Sequence, residues 1–283
     1  MISSINIDKD VAILGGGCAG ILLGDELAQQ GASCAVVDTL PYAAYASTRN
    51  QGWLQSGAFY AAYGKDEGHR KSAHACKEGY RELRAFVEET IPYALHTPTD
   101  SYMLFGTPSA DPANFKAEDD REQREALEQC DDLEIDAEAV DIGELANQEP
   151  VLRGTPLTHA IRITDRPMDT NLLLRAIATR AEGHGVLFQP VSALSNIDAS
   201  WDGYVWTLRL GDGNVLRVKS IVLACGVYIP TMLERLGIPE AIKKFDRTKV
   251  PVLVVHKPIA HSMLVLPRVD LGPNIVPFYR PGS

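Results

Sequence analysis

The first uninterrupted apolar run of the chain, VAIL at residues 11–14, is four residues long and runs straight into Gly15-Gly16-Gly17. A run this short, apolar at every position, predicts a strand covered on both faces, as in a parallel sheet. After the glycines, Ala19, Leu22, Leu23 and Leu27 recur at helical spacing, and Gly31 predicts the helix stop. A second short run, CAVV at 34–37, stops at Asp38. Further on, Ala73, Cys76, Tyr80, Leu83, Phe86 and Val87 recur every three or four positions and predict a long helix over 67–89. Residues 118–130, EDDREQREALEQC, predict an acidic helix whose charges form a solvated face. A helix beginning near Asp169 closes at Gly185 and leads into a strand around Val186 and Phe188. Residues 204–224 alternate apolar and polar, with Asp212-Gly213 as a hairpin turn. This predicts a small antiparallel layer beside the parallel sheet. The apolar stretch 221–224 then ends near another turn glycine, Gly226.

Strand, glycine turn, helix, strand, acid is an order with a physical purpose. Gly15 permits a tight turn, Gly17 lets backbone approach a pyrophosphate, and Gly20 allows close helix–strand packing. The helix start at Cys18 and Ala19 presents free N–H groups and a positive dipole end. Asp38, eighteen residues beyond Gly20, suits a ribose hydroxyl. The unit points to a dinucleotide. S-adenosylmethionine, or a structural turn that binds nothing, are the alternatives it leaves open, and NAD and FAD share it.

Composition narrows the classes. Of 283 residues, 45% are hydrophobic and 23% charged, which fits a globular chain of one large or two intertwined domains. The net charge of −10 disfavours a phosphate backbone, so no nucleic-acid partner is expected. The five cysteines, Cys18, Cys34, Cys76, Cys130 and Cys225, form no CxxC pair and no zinc-ligand spacing. Reduced thiols, no metal and a cytoplasmic location are expected. The N-terminal MISSINIDKD has no secretory pattern, and the most apolar late stretch is broken by His256, Lys257, Pro258 and His261, so no membrane span is expected.

The segment after Asp38 separates the cofactors. It is polar and glycine-containing, with Ser47, Thr48, Arg49, Asn50, Gln51, Gly52, Gln55, Ser56 and Gly57, and can wrap a large cofactor. Together with 11–38, the blocks STRNQGWLQSGAFY (47–60), DRPMDTNLLLRAIATRAEGHGVLF (165–188) and SIVLACGVYIPTMLERLGI (220–238) resemble the D-amino-acid-oxidase-like superfamily of FAD-dependent oxidoreductases. ELANQEPVL at 144–152 is similar to a further motif of that family. The look is closest to the L-2-hydroxyglutarate oxidase and glycerol-3-phosphate dehydrogenase branch.

The resemblance implies an α/β fold: a Rossmann-like FAD-binding domain with a parallel sheet, interleaved with a mixed-sheet α+β substrate domain. The expected division is 1–91 and 166–240 for FAD, and 92–165 and 241–283, with strands near 245–280, for substrate. The implied cofactor contacts are Gly15, Gly17, Cys18, Ala19, Gly20, Asp38, Thr39, Ser47, Thr48, Asn50, Gln55, Ser56, Gly57, Val191 (through its backbone, to adenine), Ala224, Cys225 and Gly226. Gln55, Arg49 and Tyr60 are the candidates for the reaction itself. Gln55 stands where many relatives have His; without a titratable proton it can orient but not act as base. Arg49 suits a carboxylate or phosphate. His256, His261, Tyr279 and Arg280 are weaker candidates in the late strands.

The expected activity is oxidation of a small 2-hydroxy acid or amine by hydride transfer to flavin. The partners are a small-molecule substrate and an electron acceptor or partner chain. The family's C-terminal Gly-rich segment has no counterpart, so the chain is a fragment, a departure from the family, or one completed by a partner. The alternatives are an NAD(P)-dependent dehydrogenase and a truncated, non-catalytic nucleotide-binding subunit.

Overall fold

The structure is a computed structural model that describes residues 6–39, 45–50, 52–63, 66–95, 100–106, 112–244 and 260–265. The first half of the chain forms β1 (Asn6–Leu14), α1 (Cys18–Gln29), β2 (Cys34–Asp38), β3 (Trp53–Leu54), α2 (Ala58–Tyr63), α3 (Glu67–Thr90), β4 (Ser101–Phe105), α4 (Pro112–Asp132), β5 (Ala137–Val140) and α5 (Ile142–Gln148). The second half forms β6 (His159–Ile163), β7 (Arg166–Pro167), α6 (Thr170–Gly183), β8 (Leu187–Pro190), β9 (Asp198–Trp201), β10 (Trp206–Arg209), β11 (Val215–Leu223), α7 (Ile229–Arg235) and β12 (Met263–Val265). Two compact units result, residues 1–50 with 170–251 and residues 51–169 with 252–283.

The first unit is built on a six-stranded sheet in the order β8-β2-β1-β11-β10-β9. β8, β2, β1 and β11 are mutually parallel. Because the side-chain period of a strand is two, β1 and β2 feed both faces of the sheet. Ala12, Leu14, Ala35 and Val37 pack with Leu208, Leu216, Val218 and Met232. Ile13, Cys34 and Val36 pack with Ala181 and Val186 on the other face. That two-sided burial is why these strands read as unbroken apolar runs. α1 and α6 are joined by Asp25, which is buried and takes Arg180 through Nη2 at 2.6 Å and Nε at 2.9 Å; His184 Nδ1 lies 2.8 Å from its other oxygen.

Register positions the site. Leu14 lies opposite Val37 on one side and Leu223 on the other, so β1, β2 and β11 end level. β8 ends with Pro190 opposite Asp38. Gly15, Thr39, Val191 and Ala224 therefore leave the sheet at one edge.

The hairpin forms as its turn predicts, with Arg209 opposite Val215. β10 and β9 continue the same sheet rather than making a layer of their own. One edge of β11 is filled by β1, and its first half still offers the other edge to β10.

The second unit holds a mixed four-stranded sheet, β12-β4-β6-β5, in which β12 runs parallel to β4 and the other pairs are antiparallel. Met103, Phe105, Ile161, Ile163 and Met263 cover one face with Ala58, Ala61, Ala73, Ala126 and Cys130. Tyr102, Leu104, Ala160 and Leu264 pack on the opposite face with Leu145 and Leu152. β3 and β7 form a separate two-stranded ribbon.

The first crossing between units falls at 50/51, not after residue 91, and the return at 169/170 rather than 165/166. The physical reason is α2 and α3: Ala58, Ala61 and Ala73 sit in the core of the mixed sheet. A Cβ on Gly57 would stand 2.4 Å from the Ala73 carbonyl oxygen. Nor is α4 only a solvated face. Asp119 is buried and accepts from Thr158 Oγ1 at 2.7 Å, and Gln123 Nε2 donates to the Ala160 carbonyl at 2.9 Å. Of the late strands, β12 is described; His256, Tyr279 and Arg280 lie outside the described residues. His261 donates its backbone N–H to buried Glu149 at 2.8 Å.

Two glycines inside helices should respond in opposite ways to alanine. A Cβ at Gly20 would fall 1.9 Å from the Gly15 carbonyl oxygen, whereas one at Gly79 meets nothing within 4 Å. Gly20→Ala should cost about 3 kcal/mol or more in thermal or denaturant unfolding. Gly79→Ala should stabilise by about 0.5–1 kcal/mol.

Candidate functional site

At the level edge of the first sheet the chain must leave β1 and enter α1 within three residues. Gly15 does so at φ +118°, and a Cβ there would sit 2.5 Å from the Ala224 carbonyl oxygen. Its N–H donates to the Val37 carbonyl at 2.8 Å, and the Ala224 N–H donates to the Leu14 carbonyl at 2.8 Å. Gly17 is the N-cap of α1, with no side-chain cap and no acidic residue in the first turn. The helix start thus keeps its positive end. The Cys18 N–H donates to Ser47 Oγ at 3.0 Å, and Ala19 is exposed beside it.

Asp38, at the end of β2, turns its carboxylate onto the glycine turn. Its Oδ2 accepts from the Gly16 N–H at 2.5 Å, and its Oδ1 accepts from the Thr39 N–H at 2.5 Å. The Val191 N–H donates to the Asp38 carbonyl at 2.9 Å. That N–H is committed within the protein, so the expected adenine contact of Val191 would fall to its carbonyl.

Residues 45–50 form a tight turn. The Thr48 and Arg49 N–H groups donate to the Tyr45 carbonyl, and Asn50 Nδ2 donates to the Ser47 carbonyl at 2.9 Å. On the other side of β1, Cys225 is buried and Gly226, at φ +53°, has open space where a Cβ would be. The structure therefore brings together fifteen sequence positions in this unit: Gly15, Gly17, Cys18, Ala19, Gly20, Asp38, Thr39, Ser47, Thr48, Arg49, Asn50, Val191, Ala224, Cys225 and Gly226. Two tyrosines that the sequence reading did not single out lie in the same unit. Tyr45 and Tyr228, both about half exposed, meet edge to face at 6.4 Å, and the Arg49 guanidinium lies 5.9 Å from the Tyr45 ring centre. The available signal was an aromatic residue just before the block 47–60 and another within the block 220–238.

Gln55, Ser56, Gly57 and Tyr60 belong to the second unit. Gly57 turns at φ +100°. Gln55 Oε1 accepts a weak bond from the Cys76 thiol at 3.9 Å. Tyr60 packs edge to face on Phe59, which packs in turn on Trp53, so this candidate sits in an aromatic cluster at the edge of the core. Beneath them lies a residue that sequence reading passed over. The carboxyl of Asp165 is fully buried and accepts from Ser56 N–H at 2.7 Å, from Trp53 Nε1 at 2.6 Å and from Ser56 Oγ. Burial pushes it up to about 6, against the opposing pull of those three hydrogen bonds. Nothing in the DRP tripeptide distinguishes it from a surface acid.

A parallel sheet with a glycine turn at the head of its first helix is the Rossmann-type arrangement of dinucleotide-binding proteins. The FAD dependent oxidoreductase family of D-amino-acid-oxidase type matches residues 10–281, and the chain belongs to that family. Its cofactor is FAD, which removes the nicotinamide and S-adenosylmethionine alternatives. In sequence the chain is similar to one subunit of the anaerobic glycerol-3-phosphate dehydrogenase of Escherichia coli K12. The two are 27% identical over 224 residues, covering 78% of this chain and 38% of the relative. In structure it is similar to glycine oxidase from Geobacillus kaustophilus, with TM-score 0.64 and 17% identity over 92% of this chain and 66% of that one. It is also similar to the L-alpha-glycerophosphate oxidase of Mycoplasma pneumoniae with FAD bound, with TM-score 0.55 and 19% identity over 81% and 56% of the two chains. The chain thus spans under two fifths of the length of the curated relative. Among the described residues no helix is long and apolar enough to cross a membrane.

The thiols offer a direct check on the site's electrostatics. Burial pushes Cys130 up to about 12 and Cys225 up to about 11, and desolvation also raises Cys18, Cys34 and Cys76. A raised thiol holds little thiolate at pH 7.5, and the thiolate is the nucleophile. The native protein should therefore react with a disulfide reagent at least about tenfold more slowly than free cysteine at that pH. All five thiols should react promptly once the chain is unfolded.

Proposed function

We propose that this chain carries the FAD site of an oxidoreductase that oxidises a small 2-hydroxy acid, polyol phosphate or amine. The flavin, when bound, would accept a hydride from the carbon bearing the hydroxyl or amine. The observation that carries the reading is the turn at Gly15–Gly17. It is side-chain-free, lies at the positive head of α1, and has Asp38 beside it at the end of the next strand. The Ser47 hydroxyl oxygen accepting from Cys18 N–H occupies the position an acceptor oxygen of a phosphate would take. The donor set fits the group. The Gly17, Cys18 and Ala19 N–H groups would hold the pyrophosphate, with Gly15 and Gly20 shaping the turn and Ser47, Thr48 and Asn50 as further polar contacts. Asp38 and Thr39 would hold the adenosine ribose, and the Val191 carbonyl the adenine. The sheet order sets β2 and β8 on one side of the turn and β11 on the other, so the flavin half would extend toward Ala224, Cys225 and Gly226.

Gln55, Ser56 and Gly57, in the second unit, are proposed as cofactor or substrate contacts. Gln55 orients by hydrogen bonds and moves no proton. Arg49 would hold a substrate carboxylate or phosphate in its planar fork, and Tyr60 shapes the aromatic wall. The likeness to a glycerol-3-phosphate dehydrogenase favours a hydroxyl-bearing substrate; the likeness to glycine oxidase favours an amine. Because the dehydrogenase relative is one subunit of its enzyme, we propose a partner chain or separate electron acceptor, and a cytoplasmic setting. A second reading, a flavin-binding subunit without turnover of its own, is favoured by the non-titratable Gln55.

The test begins with FAD titration of the purified chain, followed by flavin fluorescence. Asp38→Ala removes a charged partner of the ribose, worth about 1.5–3 kcal/mol, and should weaken FAD about ten- to hundredfold. The flavin should then bleach without oxygen on adding glycerol 3-phosphate, a 2-hydroxy acid or glycine. Binding without bleaching by any of them supports the second reading; no binding at all overturns both.

A further inference from the structure

The buried carboxyl of Asp165 stands where β6 passes the chain to β7. All three of its donor atoms come from a single stretch, Trp53 to Ser56. Its neighbours grip the same stretch: β7 pairs with β3, and the Met168 N–H donates to the Gly52 carbonyl at 2.7 Å. The Asp165 carbonyl is itself fixed by Ser101 Oγ at 2.5 Å, at the start of β4. Residues 165–168 are thus the mount for 52–57, and Gln55 lies between two anchored residues.

We infer that Asp165 is a positioning residue for Gln55, Ser56 and Gly57, and that its protonation sets the direction of the Ser56 hydroxyl. With Asp165 ionised, Ser56 O–H donates inward. With Asp165 protonated on the oxygen shared with Ser56, the acid proton is given to Ser56 Oγ. The serine's own hydrogen then swings away and becomes a free donor. The Trp53 and Ser56 N–H bonds persist on the remaining lone pairs, so the segment stays in place while one donor changes direction. Each oxygen has a partner in both states.

The described groups around the carboxyl come from α3, α4, β7 and β4. The thiols of Cys76 on α3 and Cys130 on α4 are raised by burial first and by the Asp165 charge second. Tyr80 on α3 donates to the neighbouring Thr164 carbonyl at 2.6 Å and receives Arg84 Nη1 at 3.1 Å. Arg166 follows on β7, and on β4 the contact is the neutral Ser101. Burial holds the carboxyl near 6, inside the ordinary working range.

The test reads Asp165 itself and needs no bound cofactor. A carboxylate on an indole N–H alters its emission, and Trp53 reports Asp165 directly. Tryptophan fluorescence of the full chain, titrated from pH 4.5 to 8, should show a transition near 6. It should vanish in Trp53→Phe and in Asp165→Asn. In Ser56→Ala, which loses a donor to the ionised form, it should shift upward. A flat Trp53 signal, or one that survives Asp165→Asn, overturns the inference. A transition that Ser56→Ala leaves unmoved overturns the role of Asp165 in setting the direction of the Ser56 hydroxyl.

Discussion

Two backbone hydrogen bonds hold the first unit's working edge level. Gly15 donates across to Val37, and Ala224 donates across to Leu14. They fix the ends of β2, β1 and β11 at the same height, and every proposed contact of that unit hangs from those ends. The level edge needs Gly15 in a left-handed conformation pressed against the Ala224 carbonyl, which only a residue without Cβ can adopt there. Gly20 then lets α1 sit directly over the Gly15 carbonyl. The close approach of strand, turn and helix is one steric problem, and glycine solves it twice.

Two buried carboxylates of the chain show how partners decide the role of a charge. Asp25 has a cation on it: Arg180 contacts one oxygen twice, and His184 stands at the other. It ties α1 to α6 and thereby steadies the helix whose start faces the glycine turn. Asp165 has neutral donors only, from Ser56 and Trp53. Burial is therefore not offset by an opposite charge, and the proton is held to a higher pH. One acid is an ion-paired strut between two helices, and the other is a buried carboxyl held by neutral donors.

The short turn at 45–50 shows the same economy of parts. Its Ser47 hydroxyl caps a helix that has no capping side chain of its own, because the N-cap is Gly17. A helix start closed by a movable hydroxyl from a separate segment is one that an incoming phosphate oxygen can share or take over.

The amino-acid sequence by itself determined the parallel unit, since apolar runs of four residues, a glycine turn and a terminal acid are local signals read within about forty residues. It also determined α3, whose stripe of Ala73, Tyr80 and Val87 is a helical period. What only the tertiary structure decided are matters of long-range contact. Residues 51–91 join the mixed sheet because Gly57 meets Ala73, and Ala73 packs in one cluster with Met103, which no local pattern states. Asp119 is buried because Thr158 reaches it from a distant loop. Asp165 acquires its character from Trp53 and Ser56, more than a hundred positions earlier in the chain. Periodicity records which face of an element is apolar. Burial of a single charge depends on which distant donors arrive, and that is decided only when the chain closes on itself.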